Sequence, residues 1–280
     1  MPKRMRDIAG EAVLLAGGAR AILLQIADPG VGEGVARHSD FASDPMRRLR
    51  NTLSYIYVVV YGTADDRARV VAMVNAAHRS VRGTVRLRVK NPRRDGTPLP
   101  GESAVNVEAS VSGDRYDAAD PQLQLWVAAT LYDTAITVHE SVFGTFAPVD
   151  ADALYREYAV LGTALQVPPE LWPEDRAAFR RYWDSQLARL RVTDDTRRVA
   201  RELLDSHAIP WWLRLGMPLA RLVTAGLLPP SLRVAFELPW DAARQRRHER
   251  AMRMIAAVYP RLPRRIRQWP MRHYVRLFHS

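Results

Sequence analysis

The chain has 280 residues, of which 48% are apolar and 25% charged, with a formal net charge of +11 and no cysteine. Such a composition belongs to a folded globular protein and not to a disordered one. Without cysteine there are no disulfides, iron–sulfur clusters or thiolate-held metals, so any metal or cofactor falls to His, Asp, Glu, Tyr or Met.

In chain order, residues 8–27 read as a helix broken by Asp28-Pro29-Gly30. A glycine-containing loop is expected next, through Gly32 and Gly34 to His38-Ser39-Asp40-Phe41. Asp44-Pro45 is a helix start, with Asp as N-cap and Pro at the first helical position, and the helix runs to Tyr61 and stops at Gly62. Thr63 caps the following helix with Asp66 three residues on, a capping-box arrangement. That helix carries His78 and is expected to end near Gly83.

Residues 84–112 break the helical rhythm. Val85, Leu87 and Val89 alternate with polar residues, as do Val105, Val107, Ala109 and Val111, around the basic, proline-containing stretch Asn91 to Pro98. This predicts a β-hairpin insertion with a basic tip, a disordered loop being the alternative. Asp120-Pro121 then starts a strong helix to about Phe143. Further helices are expected from Asp150 to Gln166, from Glu174 to Leu190, and after the capping residue Thr193. Pro210, Pro218, Pro229-Pro230, Pro239 and Pro263 cut the remainder into short helices. No internal repeat or linker divides the chain, so a single all-α domain over 1–280 is the simplest reading.

The charge is uneven. Residues 241–280 hold eleven arginines against two acids, Asp241 and Glu249, which leaves the rest nearly neutral. A basic segment of this kind suits an anionic membrane surface, an acidic partner or nucleic acid, with nucleic acid the least favoured and a plain solvated surface the simplest explanation. The basic start Met1-Pro2-Lys3-Arg4 is followed by an apolar stretch interrupted by Glu11 and Arg20, unlike a secretory signal. No uncharged apolar run reaches the ~18 residues of a spanning helix. The expected location is cytoplasmic, with peripheral membrane contact through 241–280 as a further option. The segment Ile209–Leu228 is apolar apart from Arg214 and Arg221 and reads as a core helix or, alternatively, as one lying at a membrane interface.

Three helices carry candidate chemistry. Val71, Val74, His78 and Val81 fall at i, i+3, i+7 and i+10, which puts His78 on an apolar stripe. A histidine there is either a core residue bonded to a backbone carbonyl or a neutral imidazole available to a metal. Arg48 and Thr52, at i and i+4, share a face with Tyr55 and Val59; Arg48 otherwise belongs to a solvated cluster with Arg47 and Arg50. Trp126, Thr130, Asp133 and Thr137 make a stripe opposite Leu123, Val127, Leu131 and Ile136. If that stripe is buried, Asp133 needs a donor, and the far nitrogen of a metal-bound imidazole is one such partner. Gly30-Val31-Gly32-Glu33-Gly34 lacks the preceding strand and spacing of a dinucleotide loop, and no HExxH, GxSxG or P-loop exists.

Several segments in order resemble a known family. They are Asp28-Pro29-Gly30-Val31, His38-Ser39-Asp40-Phe41, Asp44-Pro45, Arg48 to Thr52, Tyr61-Gly62-Thr63 and Val74 to Gly83. They continue with Tyr116 to Pro121, Leu125 to Asp133, Leu161-Gly162, Val167-Pro168-Pro169 and Gly226 to Pro230. This pattern is similar to the MpaB-type oxygenase and latex-clearing-protein (rubber oxygenase) superfamily. The resemblance implies a globin-like helical domain that holds a non-covalent haem b on His78. It also places Arg48 and Thr52 in the haem pocket as catalytic and cofactor-binding residues. With it come an apolar, isoprenoid-like substrate, dioxygen and an electron donor as partners. Asn51 stands where the latex-clearing branch carries a lysine able to occupy the distal iron site, which leaves that position to water or another side chain such as His38. Two alternatives stay open: a haem-binding carrier or sensor without turnover, and a basic helical module that binds membranes or nucleic acid.

Overall fold

The computed structural model describes residues 3–38, 45–88, 110–205 and 214–279. It is all-α apart from one two-stranded hairpin. The N-terminal region is not one helix over 8–27. A short helix α1 (Met5–Ile8), a 3-10 turn (Ala12–Gly17) and α2 (Gly18–Ile26) replace it.

The expected glycine loop is a helix, α3 (Pro29–His38). Asp28 Oδ1 accepts from the Val31 amide at 3.0 Å and Pro29 opens the helix, the same Asp-Pro start seen elsewhere in the chain. The glycines serve packing: a Cβ on Gly32 would lie 2.4 Å from the Ile26 carbonyl oxygen and 2.6 Å from Thr196 Cγ2.

Helix α4 (Pro45–Tyr61) has the expected bounds. In α5 (Ala64–His78) the Thr63 hydroxyl accepts from the Asp66 amide at 3.2 Å, and Asp66 Oδ2 accepts from the Thr63 amide at 3.0 Å. The Thr63 hydroxyl, then the Arg69 guanidinium, hold the Asp66 carboxyl well below the usual carboxylate range. The helix ends at His78, five residues short of Gly83, because the chain turns at once into strand β1 (Arg82–Arg88). β1 pairs antiparallel with β2 (Ser110–Asp117), in the register Arg82 to Asp117 and Leu87 to Val111, with a bulge between Thr84 and Arg86. The hairpin expectation holds for the paired ends; its expected tip, and Val105 to Ala109, lie outside the described residues. Gly83 is needed at the hairpin root, since a Cβ there would lie 2.6 Å from the Tyr116 hydroxyl.

Helix α6 (Pro121–Phe143) is the central rod, about 35 Å long at 1.5 Å per residue. Asp120 caps it, and Gly144 ends it at φ 86°, a left-handed position that glycine takes without strain. Trp126 and Thr130 are fully buried, so the stripe read as polar faces the core. Around it pack α7 (Pro148–Tyr158), α8 (Val160–Thr163), α9 (Arg176–Arg189) and α10 (Asp194–Leu204). Tyr132 meets Tyr155, Tyr158 and Phe179 edge-on at ring separations of 4.9–5.4 Å, the favoured geometry for aromatic pairs. One core cluster draws on residues from Met5 to Phe236.

Helices α11 (Met217–Leu227), α12 (Pro230–Ala235), α13 (Ala242–Val258), α14 (Arg264–Arg267) and α15 (Trp269–His279) complete the chain. The prolines do punctuate this region, yet α13 is 17 residues long. The basic segment is fastened to the body at its middle and near its C-terminal end. Tyr259 donates to the buried Glu11 carboxylate at 3.1 Å, Arg267 approaches the same oxygen at 3.3 Å, and His279 Nε2 lies 2.9 Å from Asp66. Among the described residues no single helix is long and apolar enough to cross a membrane. The pair spanning Ala12–Ile26 and Pro29–His38 has the composition for it but is bent by 107°.

Candidate haem-binding site

The sequence places His78 on a stripe with Val71, Val74 and Val81; Val71, Val74 and His78 are half-buried on α5, while Val81 lies beyond its end, in the turn before the hairpin. Val71 and Val74 pack on the main core, while Ala72, Met73, Ala76, Ala77 and Arg79 face outward. The His78 Nδ1 atom is sealed from water. The helix closes directly behind it: the Arg79 amide donates to the Asn75 carbonyl at 3.2 Å, and the Val81 amide to the His78 carbonyl at 2.9 Å.

A chain of amides holds this last turn. Gln166 Nε2 donates to Asn75 Oδ1 at 2.7 Å, the Gln166 amide donates to Gln124 Oε1 at 2.9 Å, and Gln124 Nε2 donates to the Ala118 carbonyl at 2.8 Å. Buried amides of this kind are costly unless paired, and pairing fixes α5 against α6 and the hairpin exit. Sequence reasoning did not single out Gln124 or Gln166, whose partners lie up to 91 residues away.

His38 ends α3 near the hairpin root, with Nε2 3.0 Å from the Tyr116 hydroxyl. One turn earlier, a Cβ on Gly34 would lie 3.4 Å from Val81 and 3.6 Å from Tyr116. The ends of α3 and α5 thus converge on the same strand pair. To reach an iron, His38 must use Nδ1 or release the Tyr116 phenol.

Thr52 and Asn51 are exposed on α4, and Arg48 belongs to the same helix with its side chain outside the described residues. Further along α4, Tyr55 donates to the Leu161 carbonyl at 2.7 Å, and burial pushes its phenol up beyond its ordinary range.

Asp133 is not part of this group. Its Oδ2 accepts from Arg20 Nη2 at 2.6 Å, and Arg20 also donates to Thr134 and to the Leu227 carbonyl. On α6 it lies nine residues, about 13 Å, beyond Gln124, the residue that reaches the last turn of α5. The donor Asp133 needs is a guanidinium with 5% side-chain exposure, which itself requires a counter-charge.

A second histidine escaped the sequence reading. His139 is buried on α6 and sandwiched between the rings of Phe143 and Phe146 at 4.6 and 4.4 Å. Burial pulls its pKa down to about 4. His139 and Phe143 stand one turn apart on α6, an i, i+4 pair legible in the sequence, whereas Phe146 arrives from beyond the Gly144 helix end.

The family profile described as ER-bound oxygenase mpaB/B'/rubber oxygenase, catalytic domain, matches residues 5–257. The chain belongs to this family. The family is one of oxygenases, which implies dioxygen and an oxidisable substrate as partners. Uncharacterized protein Rv2237 of Mycobacterium tuberculosis and uncharacterized protein Mb2261 of Mycobacterium bovis are each 36% identical to this MpaB/rubber-oxygenase member over 233 residues. The matched segment covers 81% of this chain and 82% of each relative. No solved structure matches significantly.

Within this oxygenase the donor set is limited. Among the described residues no group of three or more His, Asp or Glu side chains is placed to hold a metal ion. A porphyrin supplies its own equatorial ligands and asks the chain for an axial side chain and an apolar wall. A water-shielded imidazole flanked by Val74 and Val81 fits that demand.

Proposed function

We propose that this chain is a haem b-dependent oxygenase that acts on an apolar, isoprenoid-like substrate with dioxygen, in one domain. Two things support the reading: membership of the oxygenase family, and the half-buried His78 side chain at the end of α5, its Nδ1 shielded from water on the face shared with Val71 and Val74. The single observation that carries it is the second, because a neutral imidazole in apolar surroundings is what an axial ligand must be.

Haem bound there would supply the iron chemistry that makes dioxygen reactive toward a carbon–carbon double bond. The chain's part is to hold, orient and exclude. His78 would hold the group through its imidazole, and the Asn75–Gln166–Gln124 amides keep its helical turn from shifting. Arg48 and Thr52, one turn apart on α4, offer a guanidinium and a hydroxyl as hydrogen-bond donors to a haem carboxylate or to oxygen atoms of the reacting group. With Asn51 beside them, no lysine competes for the distal position. An external electron donor would be a further partner, and the expected location is cytoplasmic.

The test is oxygen uptake by the haem-loaded, reduced protein in the presence of an isoprenoid alkene. Uptake matched by carbonyl products from double-bond cleavage is the expected result. Reduced, haem-loaded protein that consumes no oxygen with any such alkene would overturn the catalytic reading and leave a carrier or sensor.

A further inference from the structure

The basic C-terminal segment and the apolar groove it borders form one surface. Between α11 and α13 runs an open cleft of about 470 Å³ whose floor and walls are Leu219, Met254, Val258 and Leu262, flanked by Arg247 and Arg250. Leu219 is 48%, Met254 64% and Val258 57% exposed, which is unusual for large apolar side chains grouped at one place. The apolar surface continues beyond the cleft in sequence, with Leu215 77% and Ile266 58% exposed.

The groove face of α13 is helical arithmetic: residues 247, 251, 254 and 258 recur at three- and four-residue steps, with 250 beside them. The two acids of the segment are engaged elsewhere. Asp241 caps α13 through the Arg244 amide at 2.7 Å, and Glu249 accepts from Gln245 at 2.7 Å. Exposed Arg261, Arg264 and Arg265 follow directly after the groove. The rim is therefore of one sign around an apolar centre.

We propose that this groove is a docking surface for an anionic lipid bilayer. The apolar side chains enter the boundary between headgroups and acyl chains. The arginines lay their stems along the apolar surface and lift their guanidinium groups to lipid phosphates. The surface is pre-formed. A Cβ on Gly226 would lie 2.2 Å from the His248 ring, so α11 and α13 cross in direct contact, and Tyr259 and Arg267 are tied to Glu11. The inference stands apart from the haem reading.

The test is co-sedimentation of the full chain with vesicles of phosphatidylcholine, with and without about one-third phosphatidylglycerol. Binding to the anionic vesicles, little to phosphatidylcholine alone, and loss on raising salt are expected. Arg247→Ser with Arg250→Ser removes two charges and keeps the apolar cleft, and should weaken partitioning about thirtyfold. Met254→Glu with Val258→Glu should reduce it to background. All four side chains are solvent-exposed, so both variants should keep the wild-type far-UV circular dichroism. Wild-type protein that stays in the supernatant with anionic vesicles, or variants that sediment like it, would overturn the proposal. So would a wild-type dimer that the glutamate variant splits while neither form binds lipid, since the groove would then join two copies of the chain.

Discussion

His78 and His139 are both helix-borne imidazoles withdrawn from water, and they differ in what covers them. His139 packs against the rings of Phe143 and Phe146, its pKa is drawn down to about 4, and its Nδ1 is buried without a hydrogen-bond partner among the described residues. His78 stands at the open end of α5, half-buried, where three secondary-structure elements meet. Burial alone does not make a histidine a ligand. The two differ in depth and neighbours: His139 lies in the core against aromatic rings, whereas His78 is half-buried at the turn into the hairpin.

The largest effect on stability should come from the pair that belongs to neither histidine. Asp133→Asn leaves the Arg20 guanidinium buried without its counter-charge and should cost about 3 kcal/mol in urea unfolding. The same variant should leave the haem absorption unchanged. A shifted spectrum would return Asp133 to the iron ligand and erase the distinction drawn here.

Next is the pH dependence of the His139 sandwich. Its folded pKa lies below the ordinary 6.5, so the unfolded chain binds the proton first as pH falls. The stability is present in full above pH 6.5 and declines between there and about 4. Replacing His139 by Phe should remove of order 2 kcal/mol of that decline. Equal acid slopes in the two proteins would show that the ring is not held neutral.

The smallest effect sharpens the His78 side. Thr63→Ala removes the cap of α5 at the end far from His78 and should cost about 1 kcal/mol, read as a lower urea midpoint with an unaltered slope. A change in haem affinity larger than that loss would mean that α5 transmits strain to its last turn.

The local signals were legible where a residue acts on its own neighbours. Asp120-Pro121 and the Thr63–Asp66 box mark helix starts that the structure reproduces, and Val71, Val74 and His78 share a half-buried face of α5, although Val81 falls beyond the helix end. Asp28-Pro29 carried the same signal, but three glycines spaced by one residue read as a loop. Their reason is close packing, Gly30 on Leu123, Gly32 on the Ile26 carbonyl and Thr196, and Gly34 on Val81 and Tyr116, and it is mostly tertiary. Partnership across the chain was not legible. Arg20 and Asp133 are 113 residues apart, and Gln166 and Asn75 are 91. Nor does a count of arginines reveal that Arg267 is drawn inward to Glu11 while Arg250 lies on a rim.

The central claim is that His78 is the iron ligand. The most direct measurement is the absorption spectrum of the haem-loaded wild-type protein beside the His78→Ala and His139→Ala variants, with helical content followed in parallel. The account predicts a Soret band that His139→Ala retains and His78→Ala loses without loss of helix. A band that survives unchanged in His78→Ala, or that disappears in His139→Ala alone, would contradict it.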